Sequence, residues 1–273
     1  MKEEIIHTFV VLAYKESKYL EECIKSVLDQ EYKSKVVIAT ATPNEYINGI
    51  AKKYNLEVIE NKNHKDIGGD FDFAIKCGKT PLVTLAHQDD IYDKKYSKEM
   101  VDLYLKYRDA IILFPNYYEI KGKEKEYDNV NLKIKRKLLR SLKNNEKNLS
   151  KKRKRDVLRF GDAIGCPSVT FNIDKIEYPV FDNGMICDVD WNAWERLSKL
   201  DGRFVYTEKF LMGHRIHEGS TTTEIIQDNN RTKEDYEILK RFWPAPIAFM
   251  IAKVYKNSEK NNNVNNNDKG KKK

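Results

Sequence analysis

The sequence predicts an α/β fold in which a mostly parallel central sheet is flanked by helices and followed by a C-terminal helical extension. Between residues 7 and 120, short apolar runs of strand length alternate with segments whose apolar residues recur at helical spacing. Alternation at such short intervals is typical of a parallel, doubly wound sheet. The chain of 273 residues, of which 40% are hydrophobic and 11% aromatic, is also long enough to bury a substantial core.

The first half of the chain supplies five predicted strands and four predicted helices. The strands are HTFVVLAY, KVVIATAT, LEVIEN, PLVTLAH and AIILFPNYYEI. The helices between them are SKYLEECIKSVLDQ, PNEYINGIAKKYN, DFDFAIKCGK and SKEMVDLYLKYR. We expect Ser17 to cap the first helix, Pro43 to open the second and Gly78 to end the third. In such a sheet, ligands bind outside the carboxyl ends of the strands.

The regular alternation ends after Ile120. Residues 121–160 form a basic and polar insert with one amphipathic turn, IKRKLLRSL. A helix, a strand with an extended polar segment, a second helix and a short apolar segment follow, in DVDWNAWERLSKL, GRFVYTEKFLMGHRIHEGSTTT, TKEDYEILKRFW and PAPIAFMIAKVYK. We therefore divide the chain into a domain of residues 1–222 that contains the insert, a helical extension of residues 223–256 and a disordered Asn/Lys-rich tail of residues 257–273.

The net charge of +8 is concentrated in two segments. Residues 133–159 hold 13 basic and 2 acidic residues, and residues 256–273 hold 6 and 2. Such runs predict either contact with an anionic surface or a solvated helix and a disordered end. The chain start lacks the features of a signal peptide, and no run approaches the ~20 apolar residues of a spanning helix. Since the four cysteines form no CxxC pair, we expect a cytoplasmic protein with reduced thiols.

Two adjacent carboxylates end a strand of the predicted core. In PLVTLAHQDD, the apolar run leads directly to Asp89 and Asp90. Neighbouring carboxylates repel each other, and a cation that neutralises both removes this cost. Their hard oxygen atoms suit Mg²⁺ or Mn²⁺, which usually serve a phosphate-bearing substrate. The alternative is that the pair caps the following helix.

A second acidic cluster and a histidine pair lie later in the chain. Asp188 and Asp190 begin an amphipathic helix, where carboxylates either stabilise the helix dipole or serve as a general base. His214 and His217 are three residues apart, and imidazole binds divalent metals and phosphate. Each histidine alone has the simpler interpretation of a surface or core residue.

Together these segments resemble the family 2 glycosyltransferases from Phe9 to Thr222. TFVVLAYKESKYLEECIKSVLDQEY is similar to the family's opening strand, nucleotide loop and helix, and LAHQDDIYD to its metal-binding DXD segment. DVDWNAWERLSKLDGRFVYTEKFLMGHRIHEGSTT is similar to its acidic base helix, closing strand and R-x-H segment. The resemblance implies a GT-A fold and an inverting transfer that depends on Mn²⁺ or Mg²⁺. The donor would be a nucleotide-diphosphate sugar, with UDP favoured, and the acceptor a glycan or lipid-linked glycan in cell-surface glycan synthesis.

The resemblance also implies roles for individual residues. Asp190 corresponds to the general base, with Asp188 as its near rival. Asp89, Asp90 and His217 correspond to metal ligands. Contacts to the nucleotide-sugar are implied for Ala13, Tyr14, Glu16, Thr40, Asp70, Asp72, Asp89 and Arg215. The chain departs from the family pattern at His87, which replaces an Asp, and in ATATPN, which lacks acidic residues that read uracil.

Two other functions and one surface contact remain open at this level. A nucleotidyltransferase also pairs carboxylates with a metal on an α/β sheet, but it would lack the Asp190 helix followed by HRIHEGS. An RNA-binding protein could use residues 133–159, but that segment lacks the aromatic residues that stack on bases, so we expect no nucleic acid partner. The apolar segment FWPAPIAFMIAKVYK predicts either peripheral contact with the inner face of an anionic membrane or a C-terminal helix packed on the domain.

Overall fold

A computed structural model describes residues 4–181, 184–217 and 230–254, which form an α/β fold around one curled sheet of nine strands. The strand order is β3-β2-β1-β4-β8-β6-β9-β5, and β7 pairs with the outer part of β6. The predicted fold class is confirmed. The sheet is parallel at the β3–β4 side and mixed beyond it, because two short strands that the sequence did not indicate, β5 and β8, pair antiparallel with their neighbours.

Each strand and helix predicted in the first half forms. The strands are β1 (His7–Ala13), β2 (Lys35–Thr40), β3 (Glu57–Glu60), β4 (Leu82–His87) and β6 (Ala110–Lys121), with β5 (Ile91–Tyr92) after β4. The helices are α1 (Leu20–Leu28), α2 (Glu45–Tyr54), α3 (Ile67–Cys77) and α4 (Tyr96–Lys106).

The second half completes the sheet and covers one of its faces. Its strands are β7 (Glu124–Glu126), β8 (Thr170–Asn172) and β9 (Arg203–Ile216). Its helices are α5 (Val130–Leu138), α6 (Lys151–Asp156), α7 (Val189–Leu197), α8 (Asn230–Leu239) and α9 (residues 245–254). Since β8 runs antiparallel to both β4 and β6, β6 and its parallel partner β9 point the same way as β4. The carboxyl ends of β1, β4 and β9 therefore lie along one edge.

Two helix starts differ from expectation. Ser17 does not cap α1, which begins at Leu20 with Tyr19 at the N-cap, and the Ser17 hydroxyl donates to Asp89 Oδ1 instead (2.8 Å). Helix α2 is capped by Asn44, whose side chain accepts from the Ile47 N–H at 2.9 Å, rather than being opened by Pro43. The Ser17 hydroxyl bonds to a residue 72 positions away, and a contact over that distance leaves no signal in the local sequence.

Part of the basic insert is anchored in the core. Lys154 of α6 is fully buried, and its Nζ donates to the carbonyls of Leu200 and Gly202 beyond the end of α7 (2.6 and 2.7 Å). Arg155 bonds to the buried carboxylate of Glu195 on α7. Part of the charge that could have faced an anionic surface is thus used inside the protein.

Two apolar layers cover the two faces of the sheet. Phe9 and Val11 of β1 face the layer of α1, α2 and α4, whereas Val10 faces the layer that includes α3, the insert and α7. Ala248 and Ala252 bury one side of α9 in this second layer, and its other side exposes Ile247, Phe249, Met250 and Val254. Among the residues described, none of the helices combines the length and apolarity required to cross a membrane. The predicted tail of residues 257–273 lies outside the described residues.

Candidate active site

Asp90 is the most buried carboxylate at the shared strand edge, with 1% of its surface exposed. Its Oδ1 accepts from the backbone N–H of Arg215 (2.9 Å) and lies 3.1 Å from His214 Nδ1, both on β9. Burial raises the pKa of Asp90, but the charge and hydrogen bond of His214 outweigh it and hold the pKa below its ordinary value. Oδ2 is buried and has no hydrogen-bond partner among the described residues. A buried, ionised oxygen without a partner is a fit for a bound cation.

Asp89 lies beside Asp90 but is held by different partners. Its Oδ1 accepts from the Ser17 hydroxyl, and its Oδ2 is 3.1 Å from His217 Nε2. His217 is therefore paired with Asp89, and no group of three His, Cys, Asp or Glu side chains in the described ranges is arranged to hold a metal. The predicted set of Asp89, Asp90 and His217 thus lies together without converging as three ligands. A bound metal would take further ligands from substrate phosphates or water.

Arg215 positions the Asp89–Asp90 turn. Its Nε donates to the Asp89 carbonyl (2.9 Å), and its Nη2 donates to Glu22 Oε2 on α1 (2.7 Å). The guanidinium also lies over the Tyr19 ring, 4.3 Å from its centroid. These contacts direct the side chain towards α1, and its predicted contact with the nucleotide-sugar stays a prediction.

The loop after β1 is tied to the loops after β2 and β4. The Gln88 side-chain amide both accepts from the Tyr14 N–H and donates to the Tyr14 carbonyl, at 3.0 Å each. Lys15 has a φ of 53° and donates its N–H to Thr42 Oγ1 (2.6 Å). Of the residues with implied nucleotide contacts, this edge brings together Ala13, Tyr14, Glu16 and Thr40, of which Tyr14 and Glu16 are exposed.

The other two residues with implied nucleotide contacts lie on α3. Asp70 accepts from Asn61 Nδ2 (2.7 Å) and pairs with His64 (2.8 Å), and its nucleotide contact stays a prediction. Asp72 is buried, and its Oδ1 accepts from the Val180 and Phe181 N–H groups at 2.7 and 3.2 Å. Asp72 therefore holds the backbone of the segment before α7, and its nucleotide contact stays a prediction.

Asp188 and Asp190 occupy unlike surroundings at the start of α7. Asp188 is buried beneath α8, where Glu234 accepts from the N–H groups of residues 186–188 at 2.8 to 3.0 Å. Burial, followed by the nearby Asp235, raises the pKa of Asp188 to about 9, so its carboxyl group is neutral at pH 7. Asp190 is partly exposed, and its Oδ1 accepts from the Trp191 N–H at 2.9 Å. Of the two, Asp190 has the accessible carboxylate.

Asp188→Asn is expected to raise the melting temperature relative to wild type, by a margin that grows with pH. The folded wild-type protein holds the Asp188 proton up to about pH 9, whereas an unfolded Asp loses it near pH ~4. The stability due to this proton is complete below the unfolded pKa and is lost as pH rises towards 9. Asn keeps an N–H donor for Asp235 and has no proton to lose. Melting temperatures at low, neutral and high pH test this, and a pH-independent difference would contradict it.

The sequence interpretation assigned no role to three side chains whose charges act on this region: Asp162, Lys135 and His87. Burial, followed by the negative charge of Asp190, raises the pKa of Asp162 well above its ordinary value, and the charge of Lys135 on α5 opposes this rise. The partly exposed His87 ends β4, with its ring centroid 5.2 Å from that of Phe71, and desolvation lowers its pKa so that it is neutral at pH 7. The one available signal was GDAIG, where Asp162 accepts from the Ile164 N–H (2.9 Å) in a side-chain turn.

The fold defines the class of protein. The chain is similar to TarS 1–349 of S. aureus in complex with UDP-GlcNAc, with 15% identity and a TM-score of 0.61 over 91% of this chain and 70% of that one. It is also similar to the mannosyltransferase PcManGT from Pyrobaculum calidifontis in complex with GDP-Man and Mn²⁺, with 12% identity and a TM-score of 0.60 over 93% and 70%. No curated protein matches the sequence. The architecture is thus that of the GT-A glycosyltransferases.

The family follows from the sequence match. Residues 8–168, more than half of the chain, match the family model described as Glycosyl transferase family 2. The protein belongs to this family, as the sequence resemblance predicted.

Proposed function

We propose that the protein is a metal-dependent, inverting glycosyltransferase that moves a sugar from a nucleotide-diphosphate donor, with UDP favoured, to a hydroxyl of a saccharide or lipid-linked acceptor. The observation that carries this proposal is the buried Asp90 carboxylate, whose Oδ2 lacks a partner among the described residues at the edge where β1, β4 and β9 end. A role in cell-surface glycan synthesis is part of the proposal and rests on the family resemblance.

We expect these residues to have different roles in a single in-line displacement. The loop of Tyr14, fixed by Gln88, would bind the nucleotide, and Asp190 would take the proton of the acceptor hydroxyl as its oxygen attacks the anomeric carbon. Mn²⁺ or Mg²⁺, held by Asp89 and Asp90, would neutralise charge on the diphosphate leaving group. The neutral, buried state of Asp188 supports Asp190 as the base.

The structural neighbours support the donor class. TarS was solved with UDP-GlcNAc, and PcManGT was solved with GDP-Man and Mn²⁺. At 15% and 12% identity, these structures support the proposal that the donor is a nucleotide sugar and the cation divalent, and they do not identify the sugar or the nucleotide base. UDP therefore remains our favoured base and Mn²⁺ or Mg²⁺ our proposed cofactor.

A binding experiment tests the metal and nucleotide together. We expect UDP with Mn²⁺ to raise the melting temperature of the wild-type protein and UDP with EDTA to leave it unchanged. Nucleotide at a hundred times its dissociation constant would stabilise the fold by about 2.7 kcal/mol. Asp90→Asn should abolish the Mn²⁺-dependent shift, as should Asp89→Ala. Asp93→Asn, which changes a nearby exposed carboxylate, is the matched control. Sugar transfer that survives exhaustive EDTA treatment would contradict the proposal.

Location in the cytoplasm with peripheral membrane contact is also proposed. Its support is the exposed apolar side of α9, formed by Ile247, Phe249, Met250 and Val254. The insert contributes less charge to such a contact than its composition indicates, because Lys154 and Arg155 are used internally.

A further inference from the structure

The C-terminal helix α8 holds the backbone that leads into α7, the helix of the proposed base. Glu234 of α8 accepts from three successive backbone N–H groups. Its Oε1 lies 3.0 Å from the Ile186 nitrogen, and its Oε2 lies 2.8 and 3.0 Å from the nitrogens of Cys187 and Asp188. Asp188 is the N-cap residue of α7, so Asp190 follows the last of these contacts by only two residues. One side chain from a later part of the chain therefore fixes the entry into α7.

The start of α7 needs this partner from outside its own helix. N–H groups at the start of an α-helix have no intrahelical acceptor, and an N-cap side chain usually supplies one. Such caps are present in α2, α3 and α5. The side chain of Asp188 makes no capping hydrogen bond in the part of the chain that the structure describes. The Glu234 carboxylate stands in for the missing cap, in a position that the helix dipole favours.

The rest of α7 is anchored by other contacts. The buried indoles of Trp191 and Trp194 donate to the carbonyls of Leu158 and Ile164, at 3.0 and 3.2 Å. These contacts join the helix to the segment that follows α6, and they do not involve α8. Loss of the contacts at the start of α7 is therefore expected to loosen the entry into the helix and the adjacent Asp190, while the remainder of the helix stays in place.

Helix α8 is itself packed on the core, so Glu234 has a defined position. Ile238 and Leu239, at the end of α8, have 0% of their surfaces exposed. Just beyond the helix, Arg241 donates to Asn192 Oδ1 of α7 at 2.5 Å. The C-terminal extension thus contacts α7 both before its first residue and in its middle. Residues 8–168 match the family model, so α7 and α8 both lie outside the matched residues.

We propose that Glu234 is a positioning residue for Asp190: its carboxylate holds the backbone N–H groups of residues 186–188 and so fixes the position from which Asp190 accepts a proton. The inference rests on the proposed function in that Asp190 is taken as the base. In the transfer, the proton of the acceptor hydroxyl passes to Asp190, the new glycosidic C–O bond forms and the C–O bond to the diphosphate breaks. Glu234 neither gives nor takes a proton in this step.

Amide hydrogen exchange on the full chain tests the contact without a substrate. The wild-type amides of residues 186–188 should be protected. Glu234→Gln keeps the size of the side chain but replaces one accepting oxygen by an NH₂ group, which cannot accept. At least one of the three amides should then exchange about tenfold faster or more, the effect of losing a hydrogen bond to a charged group. Glu237→Gln is the matched control, because Glu237 lies on the same helix and pairs with the exposed Lys240 (2.9 Å).

Turnover tests the consequence for Asp190. UDP release in the presence of Mn²⁺ should be measured with the UDP-sugar that the wild type uses best. Glu234→Gln should lower kcat about tenfold or more, because displacement of a reacting group by about 1 Å can cost a hundredfold. The KM for the donor and the amount of UDP bound per chain should stay at the wild-type values. A merely structural role would instead lower the amount of UDP bound together with kcat.

Trp243→Phe separates positioning from a general loss of stability. It removes the indole N–H that donates to the Arg159 carbonyl (2.7 Å), a contact of the same extension that does not touch α7. This variant should have a lower melting temperature but the wild-type kcat. Equal losses of kcat in Trp243→Phe and Glu234→Gln would contradict a positioning role.

Unprotected wild-type amides at residues 186–188, or equal exchange in Glu234→Gln and Glu237→Gln, would also overturn the inference. So would faster exchange in Glu234→Gln with the wild-type kcat, in a series in which Asp190→Asn lowers kcat. If Glu234→Gln does not fold, Glu234→Asp, whose carboxylate is one methylene shorter, takes its place in both measurements. Failure of the proposed function is seen separately, as Asp190→Asn protein that turns over at the wild-type rate while residues 186–188 show the expected exchange.

Discussion

Asp190→Asn protein is expected to bind nucleotide and Mn²⁺ as the wild type does but to turn over at least about a hundredfold more slowly, the low end of general-base contributions. The amide keeps the shape of the side chain and its hydrogen bond with the Trp191 N–H, but it cannot take a proton from the acceptor. Turnover should be measured as nucleotide release from a panel of nucleotide sugars, and nucleotide binding should be measured in parallel by thermal shift.

The comparison with Asp188→Asn makes this result specific. Asp188 is buried and neutral at pH 7, so its replacement should leave most of the turnover intact. Loss of turnover in Asp188→Asn together with normal turnover in Asp190→Asn would show that the two roles are exchanged.

Glu195→Ala is expected to lower the free energy of unfolding by about 3 kcal/mol, the lower end for breaking a buried ion pair. Glu195 has 0% of its surface exposed and accepts from Arg155 of α6, from Lys199 (2.8 Å) and from Arg241 (3.2 Å). Its removal leaves three cations without their shared acceptor. We expect the lower end because their side chains are 27%, 55% and 33% exposed and can turn towards water. Urea unfolding provides the measurement.

An exposed ion pair of the same insert supplies the control. Lys151 of α6 pairs with Asp201, whose side chain is 95% exposed, at 2.8 Å. Asp201→Ala should therefore change the free energy of unfolding by no more than about 1 kcal/mol. Equal effects of the two substitutions would show that the insert lies on the surface and is not anchored in the core.

The first half of the fold could be predicted because its signals are local. Each of the strands β1 to β4 is an apolar run followed by a helix with its own periodicity, and the parallel pairs β1–β2, β2–β3 and β1–β4 join neighbours or near neighbours in sequence. The Asp89–Asp90 turn could also be located, since it directly follows such a strand. The short strands β5 and β8, of two and three residues, carry too few side chains to show a pattern.

The missed parts of the site depend on contacts between distant segments. Lys135 belongs to a run of basic residues that has the composition of a solvated helix. Only the packing of α5 makes Lys135 less exposed than Lys133 and Lys137. Glu234 is one of many charged residues in α8, yet it accepts from three backbone amides at the start of α7. Burial also distinguishes Asp188 from Asp190, which sequence left as rivals.

The pairing of β6 with β9 bears on the order in which the protein folds. These strands bring together residues such as Asn116 and Glu208, which are 92 positions apart, and they close a loop that contains the insert and α7. Closing so long a loop costs chain entropy before its contacts form, whereas the β1–β4 units assemble from nearer segments. Lys135, Asp162 and Asp190 all lie inside that loop. We therefore expect strands β1 to β4, with the loop of Tyr14, to form early and Asp190, the proposed general base, to reach its final position late. A chain that has only begun to fold would therefore hold the donor loop without the group that activates the acceptor.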